Sequence, residues 1–228
     1  MIRARAGRGR NIKSAMGRIK NTKKKRDIEL LFEVGTLRHM DRVWRQFMGP
    51  DVANCAEHIF RVVWIALTIA KYEDAGNHEK ILKMAIAHDI SESRTGDVHY
   101  ISRQYTKRNE ELATRDIFEG TAHEDEMIDL IHEYEERESI EAKIVKDADN
   151  IDVELELREL RSRGHSMGTV WINSRIKNVY PKLFTKTARQ FWKIIAKVEP
   201  HNWHLNSPRN RFIGGDWKKR KKLYEKNQ

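Results

Sequence analysis

Apolar residues recur along this chain at helical spacing and nowhere alternate cleanly with polar ones. From Asp27 onward, Ile28, Leu31, Phe32 and Val34 mark one helical face, and Gly35 ends the run. Residues 36–55 lack periodicity, and Gly49-Pro50 marks a loop. Ala56 to Tyr72 is almost wholly apolar, with Glu57, His58 and Arg61 as exceptions in its first half. A helix apolar on all sides is expected to be central and buried. Gly76-Asn77 breaks the chain, and His78 to Ser93 predicts a second largely apolar helix, followed by a turn at Thr95-Gly96-Asp97. Residues 108–119 and 123–137 predict charged amphipathic helices, the second burying Met127, Leu130, Ile131 and Tyr134. Ile140 to Arg163 predicts a long helix with Ile144, Val145, Ala148, Ile151 and Leu155 on its seam, stopped by Gly164. A linker, a helix near Thr185 to Val198 and an irregular stretch over 199–217 complete the pattern. The fold class is therefore all-α: a helical bundle with a helical and irregular C-terminal extension.

Composition narrows the class. Of 228 residues, 39% are hydrophobic and 34% charged, enough for one substantial core under a charged surface. The longest apolar stretch, Val62 to Ala70, is too short to span a bilayer, and the N-terminus has no apolar signal region. The expectation is no membrane and no secretory signal. Cys55 is the only cysteine, so no intrachain disulfide forms, which fits a reducing, cytoplasmic location.

Charge is distributed unevenly. Residues 1–26 hold eleven Lys and Arg and no acid, and residues 218–228 hold six against Glu225. Taking both tails from the net +10 leaves residues 27–217 at −6. The expected division is a basic flexible arm (1–26), a core (27–165), an extension packed on it (166–217) and a basic tail (218–228). Such arms ordinarily stay solvated; nucleic-acid contact is the next reading, and an organellar transit peptide the third.

Chemistry enters where titratable residues interrupt the apolar helices. His58 opens the first, His88-Asp89 lies in the second, and Lys146-Asp147-Ala148-Asp149 interrupts the seam of the long helix. A buried Asp is rare unless paired or metal-bound. Imidazole and carboxylate together suit a borderline divalent ion such as Mn, Fe, Co, Ni or Zn. Singly, each residue reads more plainly as a structural hydrogen-bonder or a solvated charge, and it is the set of three helices that points to metal. His201 and His204, in a stretch rich in Pro and Asn, read as surface or packing residues. Trp192, Trp203 and Trp217 read as buried anchors, and Cys55 lacks a partner that would make it a nucleophile.

At these residues the chain resembles the HD-domain phosphohydrolases. The matching segments are Ala56-Glu57-His58 with Phe60-Arg61-Val62, the run from His88-Asp89 through Glu92 to Asp97, and Lys146-Asp147-Ala148-Asp149. They look like those of bacterial 5′-deoxynucleotidases and the eukaryotic HD domain-containing protein 2 group, over roughly residues 30–165. The resemblance implies an HD-domain helical bundle and one divalent ion (Mn, Co, Fe, Ni, Zn or Mg) held by His58, His88, Asp89 and Asp149. Asp149 is preferred over Asp147 because relatives place the ligand three residues after the lysine. Glu92 would orient or deprotonate the attacking water, and Asp97 would contact the substrate or help protonate the leaving oxygen. Trp44 matches a substrate-contacting Trp. Deoxynucleotidases carry Arg just before it, whereas this chain has Val43, leaving Arg42 or Arg45 to supply that charge.

The expected activity is removal of phosphate from a nucleotide, above all a (deoxy)nucleoside 5′-monophosphate, by water activated at the ion. Nucleoside triphosphates, guanosine polyphosphates and phosphodiesters are the alternative substrates on the same fold. A nucleic-acid-binding protein using its basic tails is the alternative of a different class. Relatives are often dimers, so a homodimer is also implied by the resemblance.

Overall fold

The computed structural model describes residues 7–206 and 208, and of residues 7–21 the backbone course alone. In chain order the α-helices are α1 (Gly7–Thr36), α2 (Arg45–Met48), α3 (Cys55–Glu73), α4 (His78–Ala87), α5 (Glu92–Thr95) and α6 (Glu110–Phe118). There follow α7 (Glu124–Glu136), α8 (Ile140–Ser162), α9 (Ser166–Asn178), α10 (Lys186–Ile195) and α11 (Asn202–Leu205). Short 3₁₀ turns punctuate the series. Among the described residues there is no strand, only an isolated antiparallel bridge between Asp41 and Asn54. The architecture is all-α, as the pattern predicts.

The local chemistry explains where the site-bearing helices begin and end. α3 starts at a capping box: the Asn54 side chain accepts from Glu57 N (3.0 Å) while Glu57 accepts from Asn54 N (3.1 Å). That fixes His58 in the first turn of the helix. Asn77 caps α4, Ser139 caps α8 and Thr185 caps α10 in the same way, each accepting from a backbone N–H three residues on. α8 runs through the middle of the bundle, packed on α3, α4, α7, α9 and α10. The largest core cluster joins Val62, Ile69, Ile81, Met84, Tyr134, Ile144 and Ile151 across α3, α4, α7 and α8. A second cluster ties α1 and α6 to α3 through Leu30, Ile59 and Ile117.

The structure departs from the sequence pattern in five places. α1 begins at Gly7 rather than near Asp27; Lys and Arg are good helix formers, and the segment holds no proline. α3 is not buried all round, since Phe60 and Trp64 are 68% and 61% exposed on its outer face. The second apolar helix stops at Ala87 rather than Ser93, and His88 to Ser91 form tight i→i+3 turns before α5. The expected linker after Gly164 is instead largely helix α9. Its β-branched and small polar residues hid it, and Gly168 lets it close on α8: a Cβ there would lie 3.0 Å from the Leu157 carbonyl oxygen. Finally, Trp192 is buried but Trp203 is 75% exposed, so only the former anchors the C-terminal segment. Trp217 and the tail 218–228 lie outside the described residues.

Candidate metal centre and its cavity

Three helices and one turn bring the predicted residues together. One ligand atom from each of His58, His88 and Asp149 lies within 4.8 Å of the others. Asp89 joins them: its Oδ2 is 3.4 Å from His58 Nε2 and 3.3 Å from His88 Nε2. Asp149 Oδ1 is 3.4 Å from His58 Nε2. Neighbours on a helix diverge by about 100°, yet at the end of α4 the two side chains meet, with Asp89 Oδ2 3.3 Å from His88 Nε2.

Each imidazole is oriented from behind. His58 Nδ1 lies 2.6 Å from Asp152 Oδ2, and His88 Nδ1 lies 2.9 Å from the Ala85 carbonyl oxygen. That leaves both Nε2 atoms buried and without a hydrogen-bond partner. Two orphaned imidazole nitrogens facing carboxylates make a set that fits a divalent metal ion. The electrostatics agree. Burial and the Arg42 charge oppose a cation on His58, yet the surrounding carboxylates of Asp149, Asp152 and Asp89 raise it well above its ordinary value. Burial also works against the Asp89 carboxylate, but His88, His58 and Arg42 hold it well below the usual range. The cluster thus calls for positive charge at its centre.

Asp147 does not take part. It is fully buried on the far side of α8, accepting from Phe184 N (2.9 Å) and from Thr185 N (2.7 Å) and Oγ1 (2.8 Å). Residues two apart on a helix point about 200° apart, so Asp147 secures the start of α10 while Asp149 faces the cluster, held at 2.7 Å by Lys146.

His88, Asp89 and Asp149 line a cavity of about 340 Å³ that also includes Glu92, Asp97, Arg42 and Trp44. Glu92 is buried. Its carboxylate accepts from the Cys55 thiol at 3.4 Å and stands 3.8 Å from Arg108. Burial, then the charges of Asp89 and Asp97, push it up to about 8. It has no bond to Arg94, which instead grips Glu33 with two bonds of 2.6 and 2.9 Å. Asp97 accepts from Val43 N at 3.1 Å and lies 3.4 Å from Arg42 Nε. Arg42 is buried and bridges Asp97 to Asp89 (3.1 Å). Arg45 is exposed and paired with Asp41 at 2.5 Å; it lines a neighbouring cavity, not this one. Of the two arginines weighed for the charge missing at Val43, the structure places only Arg42 at the cluster.

Sequence reasoning missed Asp152, three residues after Asp149 and thus on the same face of α8. Its only mark was a second acid at helical spacing from a candidate ligand. His99, given no role from sequence, is buried, bonded to Gln46 (2.7 Å), and lines the cavity. Trp171 and Arg175 of α9 lie beyond residue 165, where the expected core ends. His201 and His204, 3.1 Å apart, stand apart from the cavity.

The HD domain family matches residues 34–192. The chain is 28% identical to the 5′-deoxynucleotidase HDDC2 of Homo sapiens over 149 residues, 62% of this chain and 71% of that protein. It is 31% identical to the Danio rerio protein of the same name over 136 residues, 55% of this chain and 65% of that protein. A conserved hypothetical protein from Pyrococcus furiosus shares the fold: TM-score 0.65, 24% identity, covering 75% of this chain and 99% of that one. No helix among the described residues is long and apolar enough to cross a membrane.

Proposed function

Since the chain belongs to the HD domain family, whose members are metal-dependent phosphohydrolases, we propose that it removes the phosphate of a (deoxy)nucleoside 5′-monophosphate. The observation that carries this reading is the convergence of His58, His88 and Asp149, with two buried Nε2 atoms left unpartnered. The relatives named 5′-deoxynucleotidase point the same way.

In this reading His58, His88, Asp89 and Asp149 hold one divalent ion. When bound, such an ion lowers the pKa of water and offsets charge on phosphoryl oxygens. The chain's own groups do the rest. Glu92 holds the attacking water and takes its proton. The elevated value of its carboxyl without an ion suits a base, and a cation nearby draws it back toward ionisation. Asp97, fixed by Val43 N and Arg42, faces the substrate and assists the leaving oxygen. Arg42 balances the Asp89 and Asp97 charges, and Trp44 contributes an apolar wall with one N–H toward the nucleoside.

The proposal extends to the rest of the chain: an arm (1–26), a core (27–165), an extension (166–217) and a basic tail (218–228), in a cytoplasmic homodimer whose tails contact nucleic acid. Turnover of nucleoside mono-, di- and triphosphates with Mn, Co, Mg and Zn tests the central reading. Orthophosphate from a monophosphate, abolished by chelation and restored by metal, is the expected result. Pyrophosphate or tripolyphosphate from a triphosphate as the main product would overturn it.

A further inference from the structure

Glu92 lines the cavity, and among the described residues a single group hydrogen-bonds its carboxylate: the Cys55 thiol, 3.4 Å from Oε2. The other oxygen, Oε1, stands 3.8 Å from Arg108 NH1, beyond hydrogen-bond range. Arg108 is engaged elsewhere. Its NH1 donates to the Gly96 carbonyl oxygen at 2.9 Å, and its NH2 pairs with Glu110. It gives Glu92 charge at a distance and does not fix its orientation.

Cys55 is placed to fix it. It is the first residue of α3, fully buried, and does not itself line the cavity. The capping box at Asn54 and a 2.8 Å bond from Cys55 N to the Met40 carbonyl oxygen hold its backbone. The side chain belongs to the apolar cluster of Leu30, Leu37, Ile59, Ile90 and Ile117, where the Glu92 carboxylate is the thiol's acceptor. Burial and the Glu92 charge raise the thiol well above its ordinary value, so it keeps its hydrogen and donates. A thiol is a weak donor. Hydrogen bonds to the ionised form of an acid lower its affinity for a proton. A weak donor therefore orients a carboxylate while taking little of its basicity, which a guanidinium or several backbone N–H groups would suppress.

We propose that Cys55 is a positioning residue for the hydrolysis: its thiol holds Glu92 Oε2 from behind and leaves Oε1 to accept from the attacking water. The inference rests on the nucleotidase reading, in which Glu92 takes the proton of that water, and adds to it a residue from the start of α3. The chain's only cysteine then has a role that needs neither nucleophilicity nor oxidation.

Two measurements on the full-length protein test this. The first is the infrared S–H stretch, whose band has one source because the chain has one cysteine. A hydrogen bond to a carboxylate lowers its frequency, so Glu92→Gln should move the band upward, an amide being the weaker acceptor. An unmoved band would overturn the proposal. The second is phosphate release from a deoxynucleoside 5′-monophosphate by Cys55→Ala and Cys55→Ser, with bound metal quantified. Cys55→Ala should keep its metal, hold KM within about twofold and lose about threefold to tenfold in kcat, the range for one modest hydrogen bond. Cys55→Ser keeps a donor and should recover most of that loss. A residue that only packs would give the reverse order, since an apolar pocket accepts Ala better than Ser. Wild-type kcat in Cys55→Ala, or Cys55→Ser falling below Cys55→Ala, would overturn the proposal. Should either Cys55 variant fail to fold, the band still decides, because Glu92→Gln leaves the thiol in place. A shifted band in a wild type that releases phosphate from no nucleotide would sink the nucleotidase reading alone.

Discussion

Asp152→Asn is the most revealing single change outside the proposed ligands. Asp152 is 1% exposed, with Oδ2 2.6 Å from His58 Nδ1 and Oδ1 bonded to Arg61 Nε. Arg61 in turn holds Glu159 at 2.9 Å. A relay of charge thus runs from the helix surface to the back of a proposed metal ligand. Burial alone would raise Asp152, but His58 and Arg61 keep it below the ordinary carboxylate range. Asparagine keeps the shape and one acceptor but removes the charge, so it loosens the His58 ring and makes its nitrogen a poorer donor. Losses of this kind are typically 10–100-fold in metal affinity, or about 1.4–2.7 kcal/mol. The fold should lose less, since Arg61 keeps Glu159 and part of its solvent exposure. A cost of about 1–2 kcal/mol would lower Tm by about 2–8 °C for a chain of this size. Manganese or zinc affinity by competition with a chromogenic chelator is the assay. Arg61→Met serves as control, because it cuts the relay beyond Asp152 and leaves the His58 bond. Metal affinity within twofold of wild type in folded Asp152→Asn would refute the reasoning.

Three further outcomes follow. Glu92→Gln should retain bound metal and lose about 10²–10⁴ in rate, since Gln cannot take a proton from water; a near-normal rate with metal present would remove Glu92 from the chemistry. Arg94 hydrogen bonds hold Glu33 below its ordinary value against partial burial, so this carboxylate stabilises the fold above its unfolded pKa and ceases to as pH falls through the folded one. Thermal melts should accordingly show Glu33→Gln below wild type by about 1–4 °C at neutral pH, a gap of roughly 0.5–1 kcal/mol that closes as pH falls below the ordinary carboxylate range; a gap that widens in acid would contradict this. Gly168→Ala should destabilise by about 1–3 kcal/mol, because the added methyl meets the Leu157 carbonyl oxygen at 3.0 Å and two helix backbones would have to part; an unchanged Tm would show that α9 can shift freely.

The sequence makes the ligand set readable because its members interrupt apolar helices, where a charge is costly without a partner. The same reasoning anticipated the all-α class and most helix spans. It did not reach the turn after Ala87, which depends on backbone hydrogen bonding rather than on residue type. It overcounted the burial of α3, since Phe60 and Trp64 are apolar but exposed, and hydrophobicity alone does not say which face finds a neighbour. α9 was missed because Ser166 to Asn178 mixes Gly, Ser, Asn and β-branched residues without an amphipathic rhythm; its helicity comes from packing on α8. The contribution of Arg175 to the cavity was invisible for the same reason, as it requires knowing that α9 returns to the site.

Phosphorus NMR of one reaction mixture tests the central claim most directly. Wild-type protein with a divalent ion is given equal amounts of a deoxynucleoside 5′-monophosphate and the matching triphosphate, and the phosphorus signals are followed in time. The account predicts that the monophosphate signal converts to orthophosphate while the triphosphate persists, and that chelator halts the conversion. Loss of the triphosphate with the monophosphate untouched, or conversion that ignores the chelator, would contradict it.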